Sequence, residues 1–168
     1  MKAMAVVAHP DDCVIFAYSY IHNHPEYAWT ICYLTYSESD ARGQEFAEFW
    51  RRRNIAVKFL GHRDVWNVEK NCPGEIDVSL AKKNVQEIIA DQDLVLTHNS
   101  HGEYGHPHHI LVNQATAIHP RRVLFARFGE GTVRYSIGSG IYSLDEFPLH
   151  KEIVSMFHRD SHVNEYVE

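Results

Sequence analysis

The chain has 168 residues, which fits one domain spanning 1–168 with room to bury a sizeable core. Apolar residues make up 45%, as expected of a chain that folds rather than stays disordered, and a net charge of −6 argues against an electrostatic grip on a nucleic acid polymer or an anionic membrane. No run of about 18 apolar residues exists, so no membrane span is expected; Cys13, Cys32 and Cys72, odd in number and widely spaced, argue against a disulfide framework.

In chain order, Ala3–Ala8 is a continuous apolar run, the pattern of a central parallel strand. It meets His9, Pro10, Asp11 and Asp12 at once, so the start reads as the core strand of a cytoplasmic protein and not as a signal peptide. Asp12–Ile21 reads as a helix with Val14, Tyr18 and Ile21 on one face, and Trp29–Tyr36 as a strand. Arg42–Asn54 has helical spacing through Phe46, Phe49, Trp50 and Arg53. Val57–Leu60 is a short strand ended by Gly61. Val78–Ala90 is helical, with Ala81, Val85 and Ile88 in register, and Leu94–Thr97 is a short buried strand. The segment 107–117 reads as a helix with Pro107 in its first turn. Val123–Ala126 and Val133–Ile137 read as strands, and Leu149–Phe157 as a last helix.

Strand–helix alternation predicts an α/β fold: a Rossmann-like, mostly parallel sheet flanked by helices on both faces, a three-layer sandwich. Ligands of such sheets bind beyond the carboxyl ends of the strands. Two unusual stretches lie at such ends. One is the His-Pro-Asp-Asp turn. The other is Thr97–His109, which packs His98, His101, His106, His108 and His109 into a few turns of chain.

An isolated Asp-Asp pair at a helix start would serve as an N-cap. Beside a histidine cluster it suits a metal site better. His9 and Asp12, on one tight turn, can offer a nitrogen and an oxygen to one ion, and His109 or His106 can complete the set. Asp11 would then stand beside the ion without binding it, where a general base for a bound water belongs. His106, three residues before His109, could hydrogen-bond a developing oxyanion or protonate a leaving amine.

At these residues the chain resembles the PIG-L / LmbE-like family of zinc-dependent de-N-acetylases. The motifs stand as Ala8-His9-Pro10-Asp11-Asp12 and Gly105-His106-Pro107-His108-His109, with Arg42 and Glu45 matching an R-x-x-E on the second helix and Phe59–Asp64 an FLG-x-x-D stretch. A weaker match runs from Lys151 to Ser161. The resemblance implies His9, Asp12 and His109 as zinc ligands, Asp11 as general base and His106 as oxyanion stabiliser or acid. It implies that Tyr104 helps polarise the amide carbonyl and that Arg42 and Asp64 contact the sugar. Zn2+ is the implied cofactor, although two histidines and one carboxylate also suit Fe2+. The implied reaction is deacetylation of a small N-acetylated sugar conjugate of the N-acetylglucosamine type. An amide of a modified nucleoside or a thiol conjugate, or metal binding without turnover, are the alternatives. The chain departs from the pattern twice: Cys13 follows the Asp pair where the family has Glu, and His108 replaces an Asp. The aromatic-rich segments Tyr18–Tyr27 and Phe46–Trp50 leave a homo-oligomer interface and a packed core as alternatives.

Overall fold

A computed structural model describes residues 1–126, 130–136, 142–157 and 163–168. Among them, strands β1 (Lys2–Val7), β2 (Ala28–Thr35), β3 (Ala56–His62), β6 (Leu94–Thr97), β7 (Arg122–Phe125), β8 (Val133–Ser136) and β9 (Val163–Val167) form one sheet in the order β3-β2-β1-β6-β7-β9-β8. The first five strands of that order pair in parallel, and β9 and β8 close the edge antiparallel. A small hairpin, β4 (Trp66–Asn67) with β5 (Cys72–Pro73), stands apart.

The apolar run of β1 is buried on both faces, as a central strand requires. Ala3, Ala5 and Val7 join one core with Tyr18, Phe46, Phe49 and Trp50, brought by helices α1 (Tyr18–Asn23) and α2 (Ala41–Arg51). Met4, Val6 and Ala8 join a second core with Val85, Leu111 and Val112, brought by α3 (Val78–Ile89) and by α5 (Pro107–Thr116), which the short helix α4 (Gly102–Gly105) precedes. The strand's period of two thus feeds both helical layers, and the predicted three-layer arrangement is the one observed. Tyr18, Tyr20, Phe46, Phe49 and Trp50 are buried within the chain itself, so these aromatics pack in the core, while Tyr27 is half-buried.

Differences are local. The segment after Asp12 opens with a π-helical turn, Cys13–Ala17, before α1. In α3 the buried stripe is Ala81, Val85 and Ile89; Ile88 is half-buried. The helix from Arg42 ends at Arg51, β3 runs on to His62, and the last helix, α6, covers Lys151–Phe157. Ile137 and Ser161 lie outside the described residues. β9 falls where the sequence shows no element: Asn164 and Glu165 break its apolar pattern, yet both are buried by pairing with β7 and β8. Among the described residues, no helix is long and apolar enough to cross a membrane.

Candidate metal centre and active site

β1 and β6 are parallel neighbours, while β1 leads through β2 to β3 on its other side. The sheet therefore changes direction between β1 and β6, and the crevice beyond their carboxyl ends is where such a fold binds ligands. The turn His9–Asp12 leaves β1 there, and the segment His98–His109 leaves β6. Neither acid caps the following helix: the Asp12 side chain makes no capping bond. It turns back and accepts from the His9 backbone N–H at 2.8 Å.

That turn brings three ligand atoms together. His9 Nδ1 lies 3.1 Å from Asp12 Oδ2, His109 Nε2 lies 3.2 Å from the same oxygen, and the two nitrogens are 3.3 Å apart. Donors at about 2.0–2.1 Å from a tetrahedral ion stand roughly 3.3 Å from one another, so the donor set and its spacing fit zinc. All three side chains are buried. Electrostatics agrees. Burial works to lower the pKa of His9 and His109, yet Asp12, joined by Asp64 at His9 and by Glu103 at His109, outweighs it and raises them to about 10 and about 9. Burial likewise works to raise Asp12, but His109 and His9 hold it well below the usual carboxylate range. The cluster draws positive charge to itself, which a divalent cation supplies.

His109 is oriented by a residue to which the sequence reading gave no role. Glu103 Oε2 accepts from His109 Nδ1 at 2.6 Å and from His98 Nδ1 at 2.7 Å, leaving His109 Nε2 to face Asp12. His98 Nε2 in turn accepts from the Ala8 N–H at 3.0 Å, which ties the two loops together. Glu103 has φ +57°, a strained conformation for a residue with a side chain. Gly105, at φ +92°, then swings the chain into His106. Pro107 follows at the first position of α5, and His106 Nδ1 caps that helix by accepting from the His108 N–H at 3.2 Å. The ring proton of His106 therefore sits on Nε2. Burial, with His9 and His109 nearby, pushes its pKa down to about 3, so the ring is a neutral donor. Its centroid lies 4.6 Å from that of His9 and 4.7 Å from that of His109.

Asp11 points elsewhere. Its Oδ1 accepts from Arg42 Nη2 at 2.5 Å. Burial and the neighbouring Asp12 raise its pKa above the ordinary carboxylate range, with Arg42 pulling the other way. Arg42 also donates to Tyr36 Oη at 2.9 Å, and Tyr36 Oη donates to Asp64 Oδ2 at 2.8 Å. Asp64 Oδ1 faces His9 Nε2 at 3.2 Å and His108 Nδ1 at 3.3 Å. Arg42 and Asp64, taken in the sequence as sugar contacts, thus bond to neighbouring side chains at the rim of the crevice. Glu45, the partner of Arg42 in the R-x-x-E match, instead holds the Leu149 N–H and His150 Nδ1.

Tyr104 is 65% exposed and Trp66, on the β4–β5 hairpin, 41%; their rings flank His106 at centroid distances of 5.8 and 4.9 Å. Trp66 was not legible as a site residue, because segment 63–77 has no hydrophobic period. Cys13 is turned away from the ligands: Trp50 Nε1–H donates to its sulfur at 2.7 Å, and its S–H donates to Pro10 O at 2.8 Å. Burial pushes its thiol pKa far up, so it packs as a small core residue. A cavity of about 550 Å³ is lined by Tyr18, Tyr27, Trp29, Trp50 and Arg53. It lies where β2 and β3 begin, at the opposite end of the sheet from this chemistry.

Comparison with known proteins agrees with the motifs. Among solved structures, the fold is similar to that of the 4-carboxy-2-hydroxymuconate hydratase GalB of Pseudomonas putida KT2440 (TM-score 0.69, 15% identity, 99% of this chain and 95% of that one). It is also similar to a deacetylase of the teicoplanin biosynthesis pathway (TM-score 0.59, 15% identity, 77% and 68%) and to the N,N'-diacetylchitobiose deacetylase of Pyrococcus horikoshii (TM-score 0.55, 18% identity, 94% and 70%). At such identities the likeness concerns the fold alone. A curated relative, an uncharacterized protein of Acanthamoeba polyphaga mimivirus, is 26% identical over 66% of this chain; the chain spans about half, 54%, of that relative's length. The family model PIG-L, GlcNAc-PI de-N-acetylase, matches residues 4–118, a span that contains both motif turns, Arg42, Asp64 and Glu103, and the chain belongs to that family.

Proposed function

We propose that this chain is a metal-dependent de-N-acetylase that hydrolyses the acetamide of an N-acetylated amino sugar, of the N-acetylglucosamine-conjugate type, to a free amine and acetate. The observation that carries the reading is the mutual 3.1–3.3 Å spacing of His9 Nδ1, Asp12 Oδ2 and His109 Nε2, with the Asp11 carboxylate on the adjacent residue left unligated. The family match and the two deacetylases among the structural neighbours support it. The hydratase neighbour pairs a similar fold with a different reaction, so the site, and not the fold, carries the reading.

His9, Asp12 and His109 would hold Zn2+, or Fe2+ on the same donors. The ion would supply Lewis acidity that brings the pKa of a bound water toward about 7. Asp11, held by Arg42 and with a raised pKa, takes the proton as water attacks the acetamide carbon. The same Asp11 returns that proton to the nitrogen as the C–N bond breaks. His106 donates its Nε2–H to the oxyanion; as a neutral imidazole it suits this role better than that of an acid. The Tyr104 phenol, its pKa raised first by burial and then by Asp12 and Asp11, stays protonated and donates from the solvent side. Trp66 and Tyr104 offer apolar faces on which a sugar ring can lie, and Arg42 and Asp64 border the same mouth.

The test is amine release from N-acetylglucosamine, its nucleotide and lipid conjugates, and acetylated nucleosides, each with and without chelator. Chelator-sensitive release from a sugar is expected. Release from an acetylated nucleoside alone would move the substrate class, and silence across the panel with a tightly held ion would defeat the reading.

A further inference from the structure

His9 has two ring nitrogens, and the metal set described above uses only Nδ1. Its Nε2 lies 3.3 Å from His108 Nδ1 and 3.2 Å from Asp64 Oδ1, and those two atoms are 3.3 Å apart. This second triangle has the edge lengths of the first and the same donor types: two imidazole nitrogens and one carboxylate oxygen. It exists because this chain carries His108 in the second motif.

Hydrogen bonding alone accounts for the triangle poorly. Either both nitrogens aim N–H groups at a single carboxylate oxygen while standing 3.3 Å from each other, or His9 Nε2–H donates to His108 Nδ1 and leaves that nitrogen's lone pair 3.3 Å from the Asp64 carboxylate. Asp64 is 28% exposed on its side chain and adjoins a cleft of about 360 Å³ lined by Tyr36, Ser37, Asp40 and Arg63, so an ion can reach the triangle from solvent and keep water at its open positions.

We infer that His9 Nε2, His108 Nδ1 and Asp64 form a second site for a small divalent cation of the zinc class, sharing His9 with the first. The inference rests on the proposed function only in taking His9 Nδ1, Asp12 and His109 as the first site. The second ion replaces the Nε2 proton of His9, which passes to solvent, and His9 then bridges the two ions as an imidazolate. A site that must displace that proton and is open to solvent binds more weakly than the first. Asp64 Oδ2 is joined through Tyr36 and Arg42 to Asp11, so occupancy also reaches the residue assigned as base.

The experiment is equilibrium dialysis of the chelator-stripped 168-residue chain against a series of free Zn2+ concentrations, with bound metal counted per chain. Wild type is expected to saturate at about two ions in two separated steps. Asp64→Asn and His108→Gln are each expected to lose the weaker step and keep the tight one. His109→Ala is expected to lose the tight step. Asp64→Asn, on the solvent side, supplies the answer should the buried His108→Gln fail to fold. One ion in wild type, lost in His109→Ala, would overturn the second site and leave the first standing. Two ions retained in both Asp64→Asn and His108→Gln would overturn it as well. No bound ion in wild type would remove both sites and the proposed function with them.

Discussion

The side chains of Asp11 and Asp12 leave adjacent backbone positions and reach different partners: Asp12 faces two imidazoles, Asp11 an arginine. Burial raises both, and the neighbours decide the outcome, holding Asp12 ionised and leaving Asp11 basic enough to accept a proton. Glu103 makes a different claim at the same scale. It fixes His109 with Nε2 toward the ion, so Glu103→Gln should weaken metal affinity by about 10–100-fold with the fold intact, measured by chelator competition. Unchanged affinity would reduce Glu103 to a loop staple. The metal-side residues were legible in the sequence because His9, Asp11, Asp12, His106 and His109 sit in two compact motifs at strand ends. Glu103 was not, because its role depends on a left-handed backbone that no single residue type announces. Its only advance signals were the glycines on either side and the surrounding histidines.

Among the elements, α2 positions the base. A Cβ on Gly43 would lie 2.1 Å from Ser37 O and 3.2 Å from Phe59 Cε1, so only glycine lets this helix approach the loop after β2. Gly43→Ala should cost about 1–3 kcal/mol, read as a lower midpoint of thermal unfolding, and should lower turnover by moving Arg42 off Asp11. A second anchor joins the far end of α2 to the short helical turn Leu144–Glu146: Arg53 donates twice to Glu146, at 2.9 and 3.0 Å. These bonds hold the Glu146 pKa below its unfolded value of about 4.3. The pair therefore contributes its full stability above that value and loses it as pH falls through the lower, folded one. Wild type should exceed Glu146→Gln by about 1 kcal/mol at neutral pH, and the gap should close below pH about 4 in urea unfolding; a gap that persists in acid would assign the cost to packing. Helices and strands with clear periods were legible within a few residues. β9 and the β4–β5 hairpin were not, since both are strands by virtue of their partners and not of their own pattern.

Across the whole molecule, the switch point between β1 and β6 gathers four buried or rim carboxylates, Asp11, Asp12, Asp64 and Glu103, and five imidazoles, His9, His98, His106, His108 and His109. A divalent ion bound only by the folded chain should stabilise it by about 2.7 kcal/mol at a hundredfold excess over Kd, a rise of roughly 5–10 °C in Tm for a chain of this size. Scanning calorimetry with and without chelator reads this directly, and an unchanged Tm would mean that the crevice holds no ion. The architecture was legible because a parallel sheet buried on both faces writes itself as apolar runs alternating with helical periods. Which side chains meet across the crevice is set by crossovers that bring positions about 90–100 residues apart into contact, and only the fold displays that.

The central claim is that adjacent aspartates divide the work, one on the metal and one on the proton. It is tested most directly by measuring, on the same preparations of wild type, Asp11→Asn and His109→Ala, the zinc that survives gel filtration and the rate of amine release from the best substrate. Asp11→Asn is expected to keep the tight ion and lose about 10²–10⁴-fold in turnover, and His109→Ala to lose both. A fully active Asp11→Asn, or a His109→Ala that retains its tight ion, would contradict the account.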